Sequence, residues 1–314
     1  MRRRRRAIVW TGFSTLTATG LTVAIVAASV LGIGGLNGRA DPAAASALES
    51  AATTTLHFSD PVVGRGQYEL VRTDAIFAAS GSVEKDGPFV AFLQNYHGET
   101  YVPADRSDDW VWISCARTPF QTFGPESETL AKMFTSGGDT TVYRRLLGGV
   151  GANGDPFGGY NNGTRNPSDD YNALPRDPQQ LLDTIYNFNG KAGQSRDGEA
   201  LVWIADTLRS GTVPAEVRAA LYKAAALIPG VTIAEEQATL NGATGAAIGR
   251  VETASNIRQD IIIDPVTGQF IGERQVALDS YNGLPAGTTI ASTAVTTTVV
   301  DAAPTDASVC GAHN

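Results

Sequence analysis

The sequence predicts an α+β fold, an antiparallel sheet with helices on one side, behind an N-terminal membrane segment. Three observations predict it. Runs of β-branched and aromatic residues open the main part of the chain, three amphipathic helical patterns lie in its middle, and a series of strand-like runs closes it.

The first element is the membrane segment. Met1 is followed by Arg2, Arg3, Arg4, Arg5 and Arg6, and then no charged side chain occurs from Ala7 to Gly38. About 20 apolar helical residues cross a bilayer, and arginine-rich flanks stay on the cytoplasmic side. Residues 1–6 are therefore expected to be a short basic cytoplasmic end, 7–36 a single transmembrane helix, and 37–60 a juxtamembrane helix and linker. The competing expectation is a secretory signal cleaved near Ala45–Ser46–Ala47, but the uncharged run is about twice the usual signal core and Arg39 and Asp41 intervene. Both expectations place residues 61–314 outside the cytoplasm as one domain.

Beyond residue 40 the chain carries 18 of the 24 basic side chains and all 32 acidic ones, about −14 in net charge. An acidic surface repels phosphate, which argues against nucleic acid as a partner. The chain has two cysteines, Cys115 and Cys310, and export to an oxidising compartment predicts that they pair.

Pro42–Ala52 is alanine-rich and reads as a short helix. Gln67–Phe77, Phe89–Val102 and Trp110–Ser114 read as strands, with Gly98 as a turn inside the second run. From Gly137 to Asn172 the chain is dense in Gly, Asn, Asp and Pro and is expected to be a long loop. Asp177 and Pro178 start a helix through Leu181, Leu182, Ile185 and Phe188, and Leu201–Arg209 forms another. Val217, Ala220, Leu221, Ala224, Leu227 and Ile228 stripe a third, stopped by Pro229 and Gly230 and expected to bury against the sheet. Ile233–Leu240, Ala246–Glu252, Ile257–Asp264, Gln269–Leu278 and Thr288–Val300 then read as a strand meander.

Five stretches in this order resemble a family of uncharacterised actinobacterial membrane-anchored proteins, often encoded beside extracytoplasmic-function sigma factors. They are GRGQYELV from Gly64, YVPADRSDDWVW from Tyr101, LPRDPQQLL from Leu174, VRAALYKAAALIPGV from Val217 and IIIDPVTGQFIGERQV from Ile261. Members usually carry a longer cytoplasmic segment before the span than Met1–Arg6. The resemblance implies an envelope protein and, more loosely, a curved sheet packed with helices, as in lipoprotein carriers and envelope-stress sensors. It implies no catalytic residues.

Candidate chemistry is sparse. Gly149, Gly151 and Gly154 spell GxGxxG, but no helix start follows to stabilise a phosphate, so no cofactor is expected. Asp105, Asp108 and Asp109 could together hold a hard cation, yet they lack the glycine and distant glutamate of a calcium loop and read as turn residues. His57, His97 and His313 lie at no metal-ligand spacing, and no GxSxG elbow is present. The expected function is non-enzymatic: an anchored envelope domain binding a protein partner or an apolar, lipid-like ligand, with linkage to sigma-factor regulation. The alternatives are an envelope hydrolase whose site the sequence does not display, and a purely structural ectodomain.

The topology is directly testable. Alkaline phosphatase fused at the C-terminus is expected to be active and a cytoplasmic reporter at the same point inactive; the reverse pattern would refute an exported domain.

Overall fold

Asp41 opens the first helix by accepting hydrogen bonds from the backbone N–H groups of Ala43 and Ala44, with Pro42 at a position that needs no donor. The computed structural model describes residues 38–58, 60–136, 140–149, 160–161, 164–190 and 193–312. The transmembrane helix expected at 7–36 and the arginines Arg2 to Arg6 lie outside the described residues. Among the described residues no helix is long and apolar enough to cross a membrane.

Among the described residues the fold is α+β, with a ten-stranded antiparallel sheet and five α-helices. The helices are α1 (Pro42–Thr55), α2 (Pro125–Ser136), α3 (Pro178–Asn189), α4 (Arg196–Arg209) and α5 (Ala215–Ala225). Strands β1 (Tyr68–Ser82), β2 (Phe89–Pro103), β3 (Asp109–Ser114), β4 (Thr118–Gln121) and β5 (Val142–Leu147) come from the first half. Two residue pairs, β6 (Tyr160–Asn161) and β7 (Thr164–Arg165), make a separate small ladder. The second half supplies β8 (Thr232–Leu240), β9 (Ala243–Glu252), β10 (Ile257–Ile263), β11 (Phe270–Ala277) and β12 (Thr289–Val300).

Strand order is β5-β3-β2-β1-β12-β11-β10-β9-β8, with β4 also pairing β2. Two meanders therefore meet where the first strand lies beside the last, from Tyr68 opposite Val300 to Phe77 opposite Ala291. Side chains alternate between faces along each strand. Val71, Val295, Ile261, Ile263 and Phe270 point to one face and share a core with α1, α3, α4 and α5.

Within that core α4 lies directly on β9, β10 and β11. Helix α5 shares one core with the strand residues Ile248, Ile261, Ile263 and Phe270, and the Tyr222 hydroxyl donates to Gly268 O at 3.0 Å. It is enclosed by α1, α3 and α4, and every residue from Val217 to Tyr222 is buried. Buried Arg218 is satisfied by Thr55 Oγ1, Val213 O and Asp60, so its charge is paired and hydrogen-bonded. Helix α1 is likewise no linker: Ala44, Leu48, Ala51 and Ala52 are core residues. Its alanines let it approach α5 closely, which a sequence reader takes for a spacer.

Three further expectations need correction. Gly98 is not a turn but sits mid-β2 opposite Thr73, where a Cβ would lie 2.5 Å from the Tyr96 hydroxyl. A glycine here makes room for Tyr96 to lie along its own strand. The stretch 137–172 is not one loop, since Val142–Leu147 forms the edge strand beside β3. The glycines around it hid a six-residue strand signal. Helix α2 was not anticipated; it docks through Phe134 against Phe92, ring centroids 5.6 Å apart, and through Ser127 Oγ donating to Ala91 O.

Cys115 at the end of β3 and Cys310 form a disulfide, with Cα atoms 5.4 Å apart, and the returning tail covers Leu70, Tyr101, Val111 and Ile113 on the other face. A cross-link over 195 residues contributes up to about 5 kcal/mol in the chain-entropy model. Replacing Cys310 by Ser is expected to lower Tm by up to about 10 °C, read by calorimetry. Thiol titration of the unfolded wild-type protein should find no free cysteine.

Candidate functional site

The face of the sheet away from α4 carries two things the sequence did not announce, a chain of charged side chains and a cleft beside it. Both depend on the β1–β2 register. Arg72 lies opposite Glu99, and Asp74 opposite His97, so two complementary pairs stand side by side on one face.

His97 is almost completely buried. Its Nδ1 lies 2.7 Å from Asp74 Oδ1, and its Nε2 lies 3.5 Å from Glu99 Oε1. Glu99 also accepts from Arg72 Nε at 3.0 Å and from the Tyr101 hydroxyl. Burial works against a charged imidazole, but the hydrogen bonds and charges of Asp74 and Glu99 outweigh it and raise the His97 pKa to about 9. Burial likewise opposes ionisation of Glu99, and the hydrogen bonds from His97, Tyr101 and Arg72 overcome it, lowering its pKa to about 2. Burial and then the Glu99 carboxylate push Tyr101 up. At neutral pH the site is an imidazolium between two carboxylates.

The chain extends across the sheet. Asn241 Nδ2 donates to Asp74 Oδ2 at 3.0 Å from the tip of the β8–β9 hairpin, although β9 stands four places from β1 in the strand order. The tip is the two-residue turn Asn241–Gly242, both with positive φ, as a tight hairpin requires. The hairpin folds over this face because its path is cleared of side chains. A Cβ at Gly245 would meet Ile263 O at 2.4 Å, and one at Gly272 would meet Leu240 Cδ2 at 2.5 Å. Register shifts within β8 between Ile233 and Ala238 supply the bend.

Beneath the tip lies a cleft of 430 Å³ walled by Ile76, Leu93, Phe120, Phe123, Leu240 and Arg274. Arg274 is held by Asp260 at 3.0 Å and Glu235 at 2.8 Å, and the fully buried Asp260 is shared with Arg258 at 2.7 Å. Its cation is thus fixed in place at the cleft wall. A wider depression of 540 Å³ beside α2 has Pro119 and Ala131 on its walls, but its charged residues Glu128 and Lys132 are exposed and converge on nothing.

The residues singled out from sequence fall elsewhere. Cys115 borders a small pocket beside His97 but is joined to Cys310. Asp105, Asp108 and Asp109 build the β2–β3 turn. Asp105 Oδ1 accepts from Ser107 N and Oγ, Asp108 O accepts from Gly148 N, and Asp109 pairs with Arg145 at 3.3 Å. Gly149 packs under the Trp110 ring, while Gly151, Gly154 and His313 lie outside the described residues. Among the described residues no cluster of three or more His, Cys, Asp or Glu could hold a metal. The missed site had a signal. Laying Gln67–Phe77 against Phe89–Val102 as one unbroken hairpin pairs Arg72 with Glu99 and Asp74 with His97, and the turn placed at Gly98 concealed it.

The linkage has a definite sign. His97 has a folded pKa above the ordinary 6.5, so its contribution is complete below about pH 6.5 and is lost as pH rises through about 9. Glu99, depressed to about 2, contributes above its ordinary 4.5 and loses that as pH falls. Stability is expected to drop by about 2 to 3 kcal/mol between neutral pH and pH above the His97 value, at 1.36 kcal/mol per tenfold. Urea titrations across pH should show this drop in the wild type and a nearly flat profile in His97→Gln. Hydrogen exchange at Asn241–Gly242 should quicken over the same range.

No protein-family model, no curated protein and no solved structure matches the chain, so a function for it has to be argued from this geometry.

Proposed function

We propose that the protein is a non-enzymatic, membrane-anchored envelope protein whose extracytoplasmic domain holds an apolar segment of a ligand or partner under the β8–β9 hairpin. The cleft of 430 Å³ carries this reading. Its walls combine five apolar side chains with Gln121, three threonines and Ser292, one arginine is fixed at its side, and Phe120 stands half exposed at its edge. Small-molecule sites combine apolar walls with placed polar groups in this way. In this reading the sheet is a curved platform, filled by helices on one side and left open for binding on the other.

The histidine supports binding over catalysis. An imidazolium held between Asp74 and Glu99 with a pKa of about 9 has no proton to accept near pH 7, and a general base works best with a pKa near the operating pH. The arrangement serves instead as a clasp, since Asp74 joins His97 on one side and the hairpin tip on the other. The resemblance to anchored proteins encoded beside sigma factors adds a role for occupancy, which would be the state such a protein reports across the membrane.

A secreted form beginning at Gly38 tests the binding step. Fatty acid or phospholipid at a hundredfold excess over Kd is expected to raise Tm by about 5 °C, with bound lipid seen by native mass spectrometry. Leu240→Asp, which puts a charge in the cleft wall, should abolish the shift. Wild-type protein that carries no lipid and shows no shift would exclude an apolar small molecule and leave a protein partner as the occupant.

A further inference from the structure

A second cavity lies on the opposite face of the sheet, between the first turns of α4 and strands β9 to β11. It measures 130 Å³, and Glu199, Leu201, Val202, Ser255, Ile257 and Gln259 are among its lining residues. At that size it takes a few heavy atoms.

One of its groups lacks a hydrogen-bond donor and a second lacks a counter-charge. Gln259 is 94 % buried by its 6 % exposure, and its Oε1 has no hydrogen-bond partner. The amide cannot simply turn over. Its Nε2 donates to Glu273 Oε2 at 2.9 Å; burial raises the Glu273 pKa, yet Arg209 donates to Glu273 Oε1 at 2.6 Å, and a flipped amide would set oxygen against that carboxyl group. A buried acceptor left unpaired is costly, and a donor entering the cavity would recover that cost.

Glu199 is the second. It forms no ion pair among the described residues, whereas the other carboxylate of the cavity, Glu252, is paired with Arg250 and accepts from Ser195. Burial first and the nearby Asp206 second raise the Glu199 pKa, which an entering cation would reverse. The charges on the lining therefore sum to one uncompensated negative, with Arg250 cancelling Glu252. Ser255 Oγ, which donates to Glu252 O at 3.4 Å, keeps lone pairs to accept. The lining thus presents a carboxylate, an amide oxygen and a hydroxyl beside Leu201, Val202 and Ile257.

We infer that this cavity binds a small primary alkylammonium group, its N–H donors on Glu199, Gln259 and Ser255 and its carbons against the three apolar side chains. An ammonium has three donors and no acceptor, matching the acceptors Glu199, Gln259 Oε1 and Ser255 Oγ, while Gln194, Arg250 and Gln275 also belong to the lining. A metal ion fits less well, because hard cations take six or more oxygen ligands and one carboxylate here is already committed to arginine.

The test is calorimetric titration of the purified full chain with ethylammonium chloride against tetramethylammonium chloride, an ion of the same charge with no N–H. Saturable binding of ethylammonium alone is expected, weakened at least about tenfold in Glu199→Gln, the loss of one charge-assisted hydrogen bond. Glu199 is partly exposed, so this variant should fold, which circular dichroism verifies; Gln259→Leu gives an independent loss of affinity. Equal responses to both salts, no saturable response to either, or unchanged affinity in folded Glu199→Gln would overturn the inference.

Discussion

The pairing of β1 with β12 is the contact on which the rest depends. Ten residue pairs join the first strand of the sheet to the last, and each half of the molecule presents an unpaired strand edge without it. The same ladder sets the register of every other strand relative to β1. Because alternate residues face opposite sides, a slip of one residue would exchange Val71 and Val295 of the core for Leu70 and Ala294. It would also turn Arg72 and Asp74 inward beneath the helices, away from their partners Glu99 and His97. Register is therefore specified twice, by apolar burial on one side and by charge pairing on the other.

The disulfide belongs to the same closure. Cys310 follows β12 and Cys115 ends β3, so the bridge ties the end of the chain across β1 and β2 to the far side of the first meander. The tail that it holds lays Ala303, Ala307 and Val309 over Leu70, Tyr101, Val111 and Ile113. Those strands would otherwise expose apolar side chains on the face opposite the helices. Tyr101 is buried partly by this cover and Glu99 is buried beside it, and charges interact more strongly where water is excluded.

The open face is a compromise between stability and access. Its buried charges, Asp260 with Arg258 and Arg274, and Glu99 with Arg72 and His97, are each compensated, yet such networks add less than apolar packing of the same volume. Geometry is what they supply. They hold the β8–β9 hairpin over this face, and Leu240 borders the space beneath it together with Ile76 and Leu93. The helix face has no such gap beneath α5, whose apolar stripe is consumed by α1, α3 and α4. An apolar groove under α5 is therefore not where this domain would hold a lipid, and the small cavity on this face lies instead between α4 and strands β9 to β11.

The sequence by itself determined the α+β class, the meander from Ile233 to Val300, the three central helices and the partners Cys115 and Cys310. Those features are written locally: a period of two or of 3.6, a capping Asp177 before Pro178, a turn at Pro265–Gly268, and two cysteines with no third. Strand β5 and helix α2 were illegible because short or weakly amphipathic segments among glycines carry little periodic signal. The place of α1 in the core was hidden because alanine reads as spacer until a neighbour packs against it. Tertiary structure alone decided which face each strand turns to the helices, and with it that Asp74 meets His97 and Asn241 across 23 and 167 residues. Those contacts join segments whose separation in sequence contains no record of their register, which only the closed sheet fixes.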